Sequence, residues 1–135
     1  MEYFYEETDF VLQDGERIGN WIEETILNEG MKLGDVSFIF CSDEYILNVN
    51  KQYLNHDYYT DVITFDYCEG ELVIGDIFIS VDTVTSNSEK YMTNFAAEIK
   101  RVIIHGVLHL LGYKDKSEEE SKEMRAKEDY YLSLY

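Results

Sequence analysis

From Phe95 to Leu111 the chain is apolar nearly all round beyond Arg101. A helix with no polar face has to sit at the centre of a fold, with other elements wrapped over it. Inside that run stand two of the chain's three histidines, His105 and His109. Four residues is slightly more than one turn, so both imidazoles leave the same face of the helix. Bare imidazoles among Val, Leu and Ile are costly, and a shared cation satisfies both. Gly112 then offers a residue able to take positive φ and end the helix. Three positions later, Asp115 is a candidate third ligand. Three protein ligands leave a tetrahedral zinc ion one open position for water, the catalytic arrangement.

Around this helix the pattern predicts a strand at Tyr3–Leu12 and a helix at Glu16–Glu29, where Ile18, Trp21, Ile22, Thr25 and Ile26 recur at helical spacing. A strand at Asp35–Cys41 follows, then a helix capped by Ser42 with Tyr45, Ile46, Val49 and Tyr53 on one side. Asp61–Asp66 and Glu71–Ser80 read as two further strands, the second with a break or bulge at Gly75-Asp76. Residues 80–88 are polar and read as a loop with one helical turn. Asn94 caps the central helix, and Ser117 with Glu120 forms a capping box for a last helix ending near Leu132. The expected fold is α/β (α+β): one small mixed four-stranded sheet under four to five helices, as a single domain over residues 1–135.

Cys41 and Cys68 lack metal-motif spacing and are expected to be free, buried thiols. The opening Met1–Glu7 lacks a basic leader and an apolar signal core, and no apolar run is long enough to span a bilayer. The expectation is a cytoplasmic protein without membrane association. A net charge of −17 weighs against a polyanionic partner. Its distribution is uneven, however. Residues 1–89 carry 3 basic and 20 acidic side chains, whereas residues 90–135 carry 8 of each, so the C-terminal third that holds His105 and His109 is neutral.

The spacing His-x-x-x-His-x-x-Gly-x-x-Asp matches the third-ligand offset of the metzincin proteases, with a carboxylate in the last position. Zincin peptidases place a glutamate after the first histidine as general base. Gly106 occupies that position here, so peptide hydrolysis of that type is disfavoured. Glu98 lies two turns before His105, about 10 Å along the axis and too far for a direct base; a salt bridge to Arg101 or Lys100 is its expected use. Asp76, inside an apolar strand, needs a partner. It is read as a bulge residue or as a group orienting a metal-ligating histidine.

Three separated motifs resemble one family, the YbeY-type metal-dependent endoribonucleases that mature ribosomal RNA. His105-Gly106-Val107-Leu108-His109-Leu110-Leu111-Gly112-Tyr113-Lys114-Asp115 resembles the family signature, Thr60-Asp61-Val62-Ile63-Thr64-Phe65 its upstream segment, and Gly75-Asp76-Ile77 one of its strands. The Met124–Glu128 stretch resembles its final helix. Three positions depart from the pattern: Asp115 replaces the usual last histidine, Leu54 the usual arginine, and Tyr59 the usual proline.

The resemblance implies a single-strand-specific endoribonuclease of ribosomal RNA maturation and ribosome quality control, with His105, His109 and Asp115 as both metal ligands and catalytic residues. Zinc is the expected ion, with nickel or another divalent first-row metal as alternatives. Single-stranded or ribosomal RNA is the expected partner, alongside the ribosome or small-subunit proteins. Lys51, His56, Tyr58 and Tyr59 are candidate RNA contacts, since aromatic faces stack on any base. Two rivals stay open: a zincin-like metallopeptidase or amidase, and a non-enzymatic ribosome-assembly factor with a vestigial metal site.

Overall fold

A computed structural model describes residues 1–56 and 60–135. Its elements run β1 (Glu2–Glu6), α1 (Gly15–Asn28), β2 (Lys32–Cys41), α2 (Asp43–Leu54), β3 (Val62–Asp66), β4 (Leu72–Ser80), α3 (Val81–Lys90), α4 (Phe95–Leu110) and α5 (Glu118–Ser133). The four strands form one sheet in the order β1-β2-β4-β3. β1, β2 and β4 are parallel, and β3 pairs antiparallel with β4. This is the mixed sheet of the α+β fold that the pattern predicts, with five helices among the described residues.

Alternation along the strands decides the two faces. Val36, Phe38 and Phe40 of β2, with Val73, Ile77 and Ile79 of β4, turn into one buried cluster with Ile18, Trp21, Ile22 and Ile26 of α1. α4 fills the middle of that cluster with Val102, Ile103, Ile104, Val107 and Leu108, and α5 adds Met124 and Tyr131. The opposite face carries a smaller cluster, Cys41, Ile46, Val49 and Ile63, under α2. The apolar circumference of α4 is thus explained by its place between the sheet and α5.

Four expectations need correction. The first strand ends at Glu6, because Glu7 takes φ 54° and leaves the extended region. Phe10 then turns inward onto Phe40 and Phe95, with ring centroids 5.2 and 5.6 Å away. Residues 81–90 are a full helix, not a loop. Ser80 Oγ accepts from Thr83 N, and the stripe Val81, Val84, Ser88 is buried. The hydroxyls of Thr85 and Ser88 return to carbonyls of the same helix, at 2.9 and 2.8 Å. That local satisfaction is what a Ser/Thr/Asn-rich composition conceals.

The third correction concerns Gly75-Asp76, which lies in an unbroken strand; the register shift falls instead in β2, between Leu33 and Val36. Gly75 is needed for close approach. A Cβ there would stand 2.4 Å from the Phe65 carbonyl oxygen and 2.9 Å from Leu110. Both cysteines are free, as expected, but only Cys41 is buried; Cys68 is half-buried. None of the described helices is long and apolar enough to cross a membrane.

Candidate metal centre

The turn after α4 assembles the site. Leu111, Gly112 and Tyr113 donate their backbone N–H groups to Val107, His109 and Leu108, each at 3.0 Å. Gly112 sits at φ 102°, the positive-φ position that closes a helix end of this kind. The reversed chain carries Asp115 back over the last turn. Its Oδ2 lies 3.3 Å from His105 Nε2 and 3.4 Å from His109 Nε2. The two Nε2 atoms are 3.0 Å apart. Ligands about 2.0–2.1 Å from a tetrahedral zinc ion stand about 3.3–3.4 Å from one another. The two edges to Asp115 match that spacing, and the edge between the imidazoles is about 0.3 Å shorter.

The outer nitrogens explain which way the rings face. His105 Nδ1 meets Glu128 Oε2 at 2.7 Å, and His109 Nδ1 meets the Tyr113 carbonyl oxygen at 3.0 Å. Both partners are acceptors, so each ring, when neutral, carries its proton on Nδ1 and presents a bare Nε2. Two nitrogen lone pairs and a carboxylate oxygen therefore converge with no donor between them. A cation satisfies all three, which is why this donor set fits a divalent metal.

Glu128 is itself held. Arg101 Nη1 donates to its Oε1 at 2.8 Å, and Arg101 Nη2 reaches Asp129 at 2.7 Å. Burial works against ionising Glu128, but His105 and Arg101 outweigh it and bring its pKa below the usual carboxylate value. Burial likewise opposes charging His105; the hydrogen bond and charge of Glu128, helped by Asp115 and Asp61, lift its pKa instead.

Glu128 and Arg101 were not singled out as site residues in the sequence. A signal for Glu128 did exist: it shares a buried stripe with Met124 and Tyr131, and a carboxylate on such a stripe needs a partner. Asp76 is not that partner. Its neighbours Gly75 and Ile77 face α4, so its side chain leaves the other face of the sheet.

A cavity of about 390 Å³ opens beside the triangle, lined by His105, Asp115, Asp61, Glu128 and Arg101 among others. Asp61, at the start of the third-strand segment, thus belongs to the site. Glu98 lines the same cavity and accepts from Thr93 Oγ1 at 3.4 Å, while Arg101 pairs with Glu128 and Asp129 rather than with it. Lys51 lies in the last turn of α2 and His56 just beyond; both are exposed and neither is among the described residues that line the cavity. Tyr58 and Tyr59, the two aromatic candidates for RNA contact, lie outside the described residues.

The sequence model of one family, Endoribonuclease YbeY, matches residues 5–135. The chain belongs to the endoribonuclease YbeY family. Among its relatives, an Endoribonuclease YbeY from Christiangramia forsetii is 48% identical over 132 residues, covering 98% of this chain and 92% of the relative. One from Flavobacterium psychrophilum is 47% identical over 135 residues, covering 100% and 96%. The solution structure of TM1509 from Thermotoga maritima superposes with a TM-score of 0.67 at 29% identity, covering 97% of this chain and 87% of that one.

Two positions of this YbeY-family chain gain a physical account. The aspartate at 115 brings one oxygen to both imidazoles, so the shorter side chain spans the distance. Gly106 is a packing requirement: a Cβ there would lie 2.8 Å from Ile77 Cγ2, so the slot a peptidase gives to its glutamate is pressed against β4.

Proposed function

We propose that this chain cuts single-stranded RNA in ribosomal RNA maturation, with His105, His109 and Asp115 holding one divalent ion. As a YbeY-family member it is a hydrolase acting on RNA phosphodiester bonds. The convergence of two Nε2 atoms and one Oδ2 at 3.0–3.4 Å carries the assignment of the site. Zinc suits two imidazoles and a carboxylate best, and nickel is the nearest alternative. Such an ion lowers the pKa of water towards ~7 and polarises a phosphoryl oxygen.

The chain's own residues prepare that chemistry. Glu128 and the Tyr113 carbonyl keep the Nδ1 protons in place, so both rings aim Nε2 inward. Arg101 holds Glu128 in its ionised form. Asp61 adds a carboxylate to the cavity wall. Residues 1–135 act as one domain, in the cytoplasm, on ribosomal RNA or on the ribosome itself. A peptidase is not favoured, because Gly106 supplies no base. A vestigial site is not favoured either, because both rings keep their outer partners.

The test is metal analysis of the purified protein with cleavage assays on single-stranded RNA and an unstructured protein, with and without chelator. The expected result is one ion per chain, RNA cleavage that chelator abolishes, and loss of both in His105→Ala. Intact RNA with a metal-loaded sample, unchanged by His105→Ala, would sink the nuclease reading. Chelator-sensitive proteolysis would replace it with the peptidase.

A further inference from the structure

Beside the metal cavity lies a second one of about 770 Å³, and the two share Tyr91, Glu98, Arg101 and Arg125 in their walls. That volume is within the roughly 300–1,000 Å³ of small-molecule sites. The charges of the two differ in sign. Around the metal triangle, Asp61, Glu98, Asp115 and Glu128 face two guanidiniums, those of Arg101 and Arg125. In the second cavity Lys100, Arg101 and Arg125 face Glu98 alone. The first cavity suits a cation and the second an anion, in a protein whose net charge of −17 otherwise repels one.

Two side chains in the shared wall complement the chemistry of a nucleotide. Tyr91 follows the last residue of α3, and Met92, at φ 56°, turns the chain towards α4. The tyrosine is left 61% exposed although it borders both cavities. Bases stack on such faces whatever their identity. The cations of the second cavity are not equivalent. Arg101 is committed to Glu128 and Asp129, and Lys100 lies 4.2 Å over the Tyr135 ring. Arg125 enters no ion pair among the described residues, and its planar fork suits phosphate oxygens.

We propose that Tyr91 and Arg125 form a subsite for the nucleotide flanking the scissile bond, the ring taking the base and the guanidinium the phosphate. This rests on the endoribonuclease reading above and extends it from the reacting phosphate to its neighbour. A single strand leaving the metal triangle passes from the anionic cavity into the cationic one across this wall. The subsite binds substrate and transition state alike, so it acts on KM and leaves kcat alone.

The experiment measures kcat and KM of the zinc-loaded full chain on a fluorescent single-stranded oligoribonucleotide over a range of salt concentrations. Tyr91→Ala is expected to raise KM about tenfold, with kcat within about twofold of wild type. Tyr91→Phe keeps the ring and stays near wild type. An abasic nucleotide next to the cleavage point erases the difference between wild type and Tyr91→Ala. Arg125→Gln raises KM and lowers the salt slope of log KM by about 0.7, the value for one phosphate on a single strand; Arg125→Lys restores the slope. Unchanged KM and salt slope in both variants, with RNA still cleaved, would overturn the subsite alone. A fall in kcat at constant KM would overturn it too, by placing these residues at the metal centre. Absence of RNA cleavage by the wild-type protein removes the parent reading first, and the subsite with it.

Discussion

Two carboxylates tie α5 to the rest of the molecule, and they serve different ends. Glu128 and Glu29 are both sheltered, with side chains 7% and 13% exposed. Both have pKa values below the ordinary one although burial alone would raise them. Glu128 accepts from Arg101 and from His105, whose opposite nitrogen points at the metal triangle. Glu29 accepts from the phenols of Tyr113 and Tyr131 and from Lys127; of these only Tyr113 touches the site, and it does so through its backbone carbonyl rather than its phenol. The chemistry of the two knots is nearly the same. What lies across the donor from the carboxylate makes one of them part of the site and the other part of the scaffold.

The largest effect expected is on the first knot. Glu128→Ala should weaken zinc binding about 10- to 100-fold, the usual cost of removing an outer partner of a ligating histidine. The ring is then free to turn and to move its proton to Nε2. Glu128→Gln keeps an oxygen acceptor for the Nδ1–H and should lose much less. Competitive titration with a chromophoric chelator measures both. If Glu128→Ala holds zinc as tightly as wild type, Glu128 is a staple like Glu29 and the contrast between the two collapses.

How far each knot was legible in the sequence follows from the reach of its contacts. His105, His109 and Asp115 fall within one helix end and the turn after it, so spacing and one glycine suffice to bring them together. Glu128 meets His105 across 23 residues, and Tyr131 meets Glu29 across 102. Helical periodicity puts Glu128 on the buried stripe of α5. Which side chain it meets depends on how α5 is laid against α4, and no local pattern encodes that.

Asp76 is the instructive opposite. The alternation Val73, Gly75, Ile77, Ile79 directs it to the other face of the sheet, which excludes a role in orienting either histidine. α3 is faint in the sequence for a third reason: its buried stripe is two valines and a serine, too thin to stand out without the packing.

Breaking the second knot should affect stability before affinity. Glu29→Gln replaces charge-assisted hydrogen bonds with neutral ones and cannot offer two full acceptors to three donors. A loss of about 1–3 kcal/mol is expected from urea unfolding. Zinc affinity should stay within about threefold of wild type, since Tyr113 still receives the Nδ1–H of His109 on its carbonyl. A tenfold loss of zinc with unchanged unfolding would reverse the division of labour between the two carboxylates.

The smallest effect is the pH signature of the Glu29 knot, and it has opposite signs at its two ends. The folded pKa of Glu29 lies below its unfolded value of 4.5: burial opposes this, and Tyr113, Tyr131 and Lys127 outweigh it. Its contribution is therefore complete above that value and is lost as pH falls through the folded pKa. Burial, with the carboxylate of Glu29 adding to it, pushes the Tyr131 phenol up to about 12 from 10.0. That contribution is complete below pH 10 and fades as pH rises towards 12, because the unfolded chain releases its proton first. Urea midpoints of wild type should thus fall at both extremes. Tyr131→Phe should flatten the alkaline limb, and Glu29→Gln the acid one. Parallel limbs in wild type and Glu29→Gln would mean that other carboxylates govern acid stability, and that the Glu29 knot holds the fold by geometry alone.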